Sequence, residues 1–303
     1  MTKDSLSILI TGGTGLIGQA LIPALERNGH RISVLTRHLN RYPSTPIQPD
    51  LFSSFEDIPD SHPIDAVINL AGAPIVGPRW SKQRKQVLRD SRIGLTQNLV
   101  RWMAARQTPA SVVINGSAVG YYGNRYDDIL EESAPPGDDF GAHLCRDWES
   151  KSLALENLGI RVAVIRTGLV LSASRGMLAP MLLGYKLGLG AKMGNGTQWM
   201  SWIHIDDQVG AICHLLHNPS STGAYNLTAP SPVNNTEFSD TLAQVLHRPR
   251  LLAFPAPILK LALGEAAGLL LGGQRAIPNR LQQEGFQFRF DSLEKALADI
   301  ANR

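Results

Sequence analysis

The sequence predicts an α/β protein: a Rossmann-type doubly wound parallel sheet with a smaller C-terminal substrate lobe. Three observations carry this. An apolar run from Leu6 to Ile10 leads directly into Gly12, Gly15 and Gly18, spaced GxxGxxG, and then into a helix-compatible stretch. That is the strand, turn and helix order of a βαβ start. Four later apolar runs repeat the strand form, and helix-length spacers separate them.

In chain order, Gly29 closes the first helix and RISVLT at 31–36 returns as the second strand. DAVINLAG at 65–72, SVVINGSA at 111–118 and IRVAVIRTG at 160–168 are apolar almost throughout and end in Gly or a small polar residue. Strands buried on both faces look like this. Ser81 to Arg106 and Leu144 to Leu158 supply helices between them. A first domain is therefore expected over 1–170, with later segments free to return to it, and a substrate lobe over 171–303. Within the lobe, 187–196 is Gly-rich, WIHI at 202–205 is a short strand, and a helix begins at the paired Asp206 and Asp207. Residues 236–246 and 292–300 read as further helices, and 255–273 as a helical segment broken by Gly264 and Gly268.

A chain of 303 residues with 43% hydrophobic content buries a full-sized core, so a small disulfide-stapled module is excluded. Twenty-nine basic against 26 acidic residues, with no long basic block, leave no nucleic-acid footprint. Cys145 and Cys213 lie far apart without metal-type pairing, which points to a reducing cytoplasm. The N-terminus has no apolar secretory core, and Ile258 to Leu271, interrupted by Lys260 and Glu265, is too short to span a bilayer. No membrane association is expected.

Gly12 permits the sharp turn, Gly15 lets the backbone approach a pyrophosphate, and Gly18 removes a side chain where helix meets sheet. Thr14, Leu16 and Ile17 complete this candidate cofactor loop, whose orphan N–H groups suit a diphosphate. No acidic residue for a ribose hydroxyl ends the second strand. Thr36, Arg37 and His38 stand there, with Arg41 nearby. A guanidinium at Arg37 accepts a 2′-phosphate, so NADP(H) is expected ahead of NAD(H), which stays open as the alternative. The plainer reading of Arg37 is a solvated strand-end residue.

TGGTGLIG, Asn69-Leu-Ala-Gly72, Ser117 to Gly123 and Trp202 to Asp207 together resemble the extended short-chain dehydrogenase/reductase superfamily of NAD(P)-dependent epimerases and dehydratases. The region 250–300, with Leu263-Gly-Glu265, Gly272-Gly-Gln-Arg275, Pro278 and Gly285-Phe286, resembles the DUF1731 domain attached to an atypical subgroup. The resemblance implies that Asp50, after a short third strand, lies near the adenine amino group. It implies further cofactor contacts at Asn69, Leu70, Ala71 and Gly72, and at Arg166, Thr167 and Gly168 near the nicotinamide; Gly168 stands where proline is common.

The superfamily's proton-transfer pair is a tyrosine with a lysine four residues on. The chain has six tyrosines, and the residue four beyond each is Pro46, Arg125, Tyr126, Leu130, Leu189 or Ala229. At the resembling positions stand Gly141 and Cys145. The serine or threonine position falls on Ala118, with Ser117 beside it. Candidate catalytic residues are thus Ser117, Tyr121 and His143, the last able to pair with Asp147 at i,i+4. Met200 replaces an arginine that holds diphosphates in nucleotide-sugar enzymes, which moves the expected substrate toward something more apolar. Tyr122, Lys192, Trp199, Met200 and Trp202 are the candidate substrate contacts. His204, Asp206 and Asp207 do not read as a metal site: strand alternation turns residues 204 and 205 to opposite faces, and helix N-capping accounts for at least one of the aspartates. Two functions remain: an epimerase-like or oxidoreductase protein acting on a small carbonyl, alcohol or sugar-derived substrate, or a catalytically silent NADP-binding regulator with a protein partner.

Overall fold

The computed structural model describes residues 5–37, 39 and 48–303; His38 and Arg41 lie outside the described residues. Alternation seats the sheet. In β1 (Ser7–Thr11), Ile8 and Ile10 face one layer and Leu9 the other. The same division separates Ile68 from Val67 in β4 (Ala66–Asn69), Ile114 from Val113 in β5 (Val112–Ala118), and Ile165 from Val164 in β7 (Arg161–Thr167). With β2 (Arg31–Leu35), β3 (Asp50–Phe52) and β12 (Gly223–Leu227), these strands form a seven-stranded sheet in the order β12-β7-β5-β4-β1-β2-β3. Every pairing in it is parallel. α1 (Leu16–Arg27) and α6 (Ile205–His217) cover one face through residues such as Leu21, Leu25, Ile212 and Leu215. α3 (Leu95–Ala105) covers the other through Leu99 and Met103. Both α6 and β12 come from beyond residue 170.

Four two-stranded pairs build out the carboxyl side of the sheet. They join β6 (Ile129–Leu130) to β15 (Arg275–Ala276), β8 (Leu169–Leu171) to β11 (Trp202–His204), β9 (Gly190–Met193) to β14 (Arg250–Phe254), and β10 (Trp199–Met200) to β13 (Val233–Asn234). A second core forms where α7 (Asn235–Val245) meets α11 (Leu293–Ala301), with Phe238, Leu242, Phe290 and Leu297 around Trp202. α5 (Leu178–Lys186) adds Leu178 and Leu182 to it, whereas the short α10 (Asn279–Gln283) adds Leu281 to the sheet core.

Two helices depart from expectation, and a third segment breaks where its glycines predict. Ser81 to Arg106 is not one helix: α2 (Lys82–Arg89), capped by Ser81, passes through a π-helical turn at Asp90–Gly94 before α3. α4 (Phe140–Leu153) starts four residues early because Asp139 caps it, accepting from the Ala142 N–H at 2.8 Å. Residues 255–273 divide into α8 (Ala256–Leu263), a 3₁₀ turn at Gly264–Ala267 and α9 (Gly268–Leu271), the break falling where Gly264 adopts φ +60°.

The WIHIDD stretch ties the C-terminal region to the sheet. His204, not an aspartate, caps α6 by accepting from the Asp206 N–H at 3.1 Å. The Asp207 carboxylate accepts from the N–H groups of Arg289 and Phe290 at 2.8 and 2.9 Å. His204, Asp206 and Asp299 converge, but the cation they meet is the Arg303 guanidinium, 2.6 Å from Asp206 and 2.7 Å from Asp299. No helix among the described residues is long and apolar enough to cross a membrane.

Candidate functional site

The glycine loop lies at the carboxyl end of β1, where open α/β sheets bind ligands. Its backbone is packed so tightly that two of its glycines are obligatory. A Cβ on Gly12, at φ +72°, would stand 2.8 Å from the Leu70 carbonyl; one on Gly18 would stand 2.6 Å from the Gly12 oxygen. Gly15 differs. A Cβ there meets only the Gly12 oxygen, at 3.1 Å, and otherwise points into open space before α1. No side chain caps α1, so its first amides remain for a ligand. This cradle, which side chains would fill, fits a pyrophosphate.

Around the loop, Thr11 Oγ1 donates to Asn69 Oδ1 at 2.6 Å and accepts from the Ala71 N–H at 3.1 Å. Asn69 is fully buried and donates to Thr96 and Asn115. Its side chain therefore locks β4 to its neighbours, while Leu70, Ala71 and Gly72 carry the backbone past the loop. Leu16 and Ile17 pack against the sheet core, and the Thr14 carbonyl accepts from Arg175 at 3.2 Å. Arg37 is exposed just past β2. Asp50 opens β3 instead of following it: it pairs in register with Ser33, short of the carboxyl edge, and its carboxylate lies 3.9 Å from His62.

Between the sheet edge and the C-terminal region lies a mainly apolar cavity of about 320 Å³. Its floor is Ala118 to Gly120 from the end of β5 and Thr167 to Leu169 after β7; one wall is Phe140, Gly141 and Cys145 of α4. The opposite wall carries Gln198 to Ser201, and the roof comes from Glu265, Gly268 to Leu270 and Gly272 to Gln274. The roof is stitched down. Glu265 pairs with Lys85 at 2.6 Å, Gln198 Nε2 donates to the Leu270 carbonyl at 2.8 Å, and Ser201 Oγ donates to the Gln274 carbonyl at 2.8 Å. A Cβ on Gly168 would collide with the Ser201 carbonyl, which explains why proline is not tolerated there.

The proposed catalytic residues do not meet in this cavity. Strand alternation turns Ser117 away from it as Ala118 turns in, and Ser117 Oγ donates to Glu149 Oε1 at 2.6 Å. Arg166 closes that network with two hydrogen bonds of 2.9 Å to Glu149, and it also donates to Tyr122 Oη at 3.0 Å. Burial works against the Arg166 charge, but the hydrogen bonds and charge of Glu149 outweigh it and hold the guanidinium above its ordinary range. Arg166 is therefore a buried strut that ties β7 to α4 and, through Glu149, to Ser117 of β5. The Tyr121 ring stacks on this guanidinium, 3.5 Å from its carbon. His143 turns outward to Asp138 at 3.1 Å, and the expected partner Asp147 instead binds Arg89 at 3.0 Å.

The substrate candidates divide similarly. Trp199 and Met200 line the cavity. Tyr122 is 0% exposed, its hydroxyl donating to Asn226 at 2.7 Å and its pKa pushed up to about 12 by burial. Trp202 is equally buried, in the second core, its indole N–H donating to the Ser231 carbonyl. Neither touches the cavity. Lys192 lies outside the wall, 3.4 Å from the Asn195 carbonyl. Cys145 does line the cavity, but burial, with the nearby Glu149 charge, pushes its thiol up to about 11, which keeps it protonated and inert. Gln198 was missed from sequence, Glu149 was placed on its helix without its Arg166 partner, and the roof was read only as part of the C-terminal lobe. Glu149 had one signal: an arginine at the end of an otherwise apolar buried strand needs a carboxylate partner.

Parallel sheet, glycine cradle and edge cavity define an NAD(P)-binding protein of the epimerase and oxidoreductase type. The chain belongs to the NAD dependent epimerase/dehydratase family, whose profile matches residues 8–228, and residues 254–300 match DUF1731, a domain of unknown function. It is similar to an epimerase family protein of Mycobacterium bovis, 40% identical over 98% of both chains. One from Staphylococcus aureus is 38% identical over 96% of this chain and 98% of its own. Among solved structures it resembles a human epimerase family protein crystallised with NADPH, at 32% identity and a TM-score of 0.90, covering 98% of this chain and all of that one.

Proposed function

We propose that this chain binds NADP(H) in preference to NAD(H), and that the edge cavity receives a small carbonyl or alcohol for oxidoreduction. The observation that carries this reading is that the Gly12 to Gly18 cradle, at the carboxyl end of β1, and the cavity floor, at the carboxyl ends of β5 and β7, lie along one edge of the parallel sheet. The human relative with NADPH supports the choice of dinucleotide, and Arg37, exposed past β2, suits a 2′-phosphate. When bound, the dinucleotide supplies or accepts the hydride. The chain's own part is positioning: Gly15 leaves room for the diphosphate, the Arg166–Glu149 pair keeps the ends of β5 and β7 in place, and the apolar roof excludes water. Its proton handling does not use a tyrosine-lysine pair.

One observation favours the second reading, a silent NADP(H)-binding regulator. Ser117, Tyr121 and His143 are each engaged away from the cavity, and the Cys145 thiol is held protonated. Calorimetry with NADPH and NADH tests the cofactor, and single-turnover nicotinamide absorbance with a panel of aldehydes and ketones tests turnover. Equal affinity for both dinucleotides defeats the preference. Tight NADPH binding with no absorbance change across the panel selects the regulator.

A further inference from the structure

The C-terminal region carries an apolar face that the fold leaves uncovered. Among the described residues β14 pairs only with β9; its Leu251 to Phe254 are all exposed, and no residue of α8 is buried. Leu251 and Leu261 are 79% and 78% exposed, and Leu187, Leu189, Phe254 and Ile258 are each more than half exposed. These side chains sit on adjoining segments. Leu187 and Leu189 follow α5 and lead into β9, Gly190 of β9 pairs in register with Arg250 of β14, and Pro255 passes β14 into α8. Together they present several hundred Å² of hydrocarbon, more than a monomer in water ordinarily leaves in one place. An exposed edge strand normally carries charges that discourage association. Residues 251–259 carry none.

Charge decides what covers the face. Residues 178–193 and 246–264 contain Lys186, Lys192, Arg248, Arg250 and Lys260 but no Asp or Glu. The flanking carboxylates are taken, Asp240 by Arg250 and Glu265 by Lys85. Lys186, Arg248 and Lys260 are exposed and enter no ion pair among the described residues. A second copy would set these cations against themselves across a twofold axis. A single strand added to β14 would leave Leu187, Leu189 and Leu261 bare. An anionic lipid surface meets both demands, with hydrocarbon for the leucines and phosphates for the cations, whose stems lie along the apolar face.

We infer that this face seats the protein on membranes rich in anionic phospholipid. Leu251, Phe254, Ile258 and Leu261 enter the headgroup boundary, and Lys186, Arg248 and Lys260 bind phosphate. The expectation of no membrane association rests on the lack of a spanning segment, and lying on a surface needs none.

Vesicle flotation of the full chain tests this, with vesicles of equal parts phosphatidylglycerol and phosphatidylcholine and with phosphatidylcholine alone. The expected result is recovery with the anionic vesicles, little with the neutral ones, and a fall as salt is raised. Leu251→Asp with Leu261→Asp should abolish recovery, and Lys186→Glu with Lys260→Glu should weaken binding at least about tenfold. The melting temperature should hold in both, since all four positions are exposed. Leu158→Asp, at an exposed residue before the amino end of β7, should float like the parent. No recovery with anionic vesicles, equal recovery with neutral ones, or full recovery of either double variant overturns the inference. A dimer in analytical ultracentrifugation that dissolves in the leucine variant gives the face to a second copy and overturns it as well.

Discussion

Glycine shapes both ends of the cleft, and the two ends use it differently. In the cofactor loop, Gly18 is excluded from carrying a side chain by the loop's own backbone at Gly12 and Gly13. In the roof, Gly273 is excluded by a segment distant in sequence: a Cβ there would collide with the Trp199 carbonyl and stand 2.6 Å from its nitrogen. The first constraint is local and leaves a spaced motif. The second arises only on folding and leaves none. The glycine cradle is thus encoded in a short contiguous stretch, and the cavity's roof in contacts between separate segments.

The largest expected effect tests whether the edge between these ends is held by charge. Arg166→Met leaves the Glu149 carboxylate buried without its partner and should cost about 3–5 kcal/mol of stability, read by denaturant unfolding. A loss under 1 kcal/mol would show that the pair is not a strut. Gly273→Ala should cost about 1–3 kcal/mol and loosen the roof while leaving NADPH affinity within about twofold; a large loss of cofactor affinity would mean the two ends are not separable. Gly15→Asp is its counterpart. NADPH affinity should fall by about 2 kcal/mol or more, from lost space and like charge, with the melting temperature unchanged, and calorimetry beside a thermal melt decides. Arg37→Ala should weaken NADPH by about 1.5 kcal/mol and leave NADH unaffected; equal losses remove its role in selectivity. The smallest effect belongs to Tyr121→Phe. The ring beneath Arg166 is retained, so stability should move by less than about 0.5 kcal/mol, and a hundredfold fall in hydride transfer would restore the tyrosine as a catalytic group.

Sequence periodicity found β1, β2, β4, β5 and β7, because parallel strands buried on both faces are apolar at nearly every position, as in ILI of β1 and VAVI of β7, but it did not find the edge strand β12, whose GAYNL is too mixed to stand out. It placed the glycine loop for the same local reason. Of the cavity's lining, the sequence picked out Trp199 and Met200 as substrate contacts, Thr167 and Gly168 as cofactor contacts, and Ala118, Gly141 and Cys145 as the positions resembling the superfamily's catalytic residues. Ser117 and Ala118 show the difficulty: which of two neighbours faces the ligand depends on a register that a single-residue shift reverses. Tyr122 and Trp202 show another, since a large amphipathic ring near a strand end serves a core or a pocket equally well. His143 was paired to Asp147 by helical spacing, but Arg89, brought up from α2, took the carboxylate first.

The roof's attachment has a consequence for how such proteins diversify. Gln198 and Ser201 grip it by main-chain carbonyls, Asn124 reaches the Gly273 N–H, and Ser201 also accepts from the Ala276 N–H. Main-chain groups are the same whatever residue carries them. The side chains at Leu269 and Leu270 can therefore be exchanged while the segment keeps its seat, so the lining of the cavity can change by point substitution at little cost to the fold.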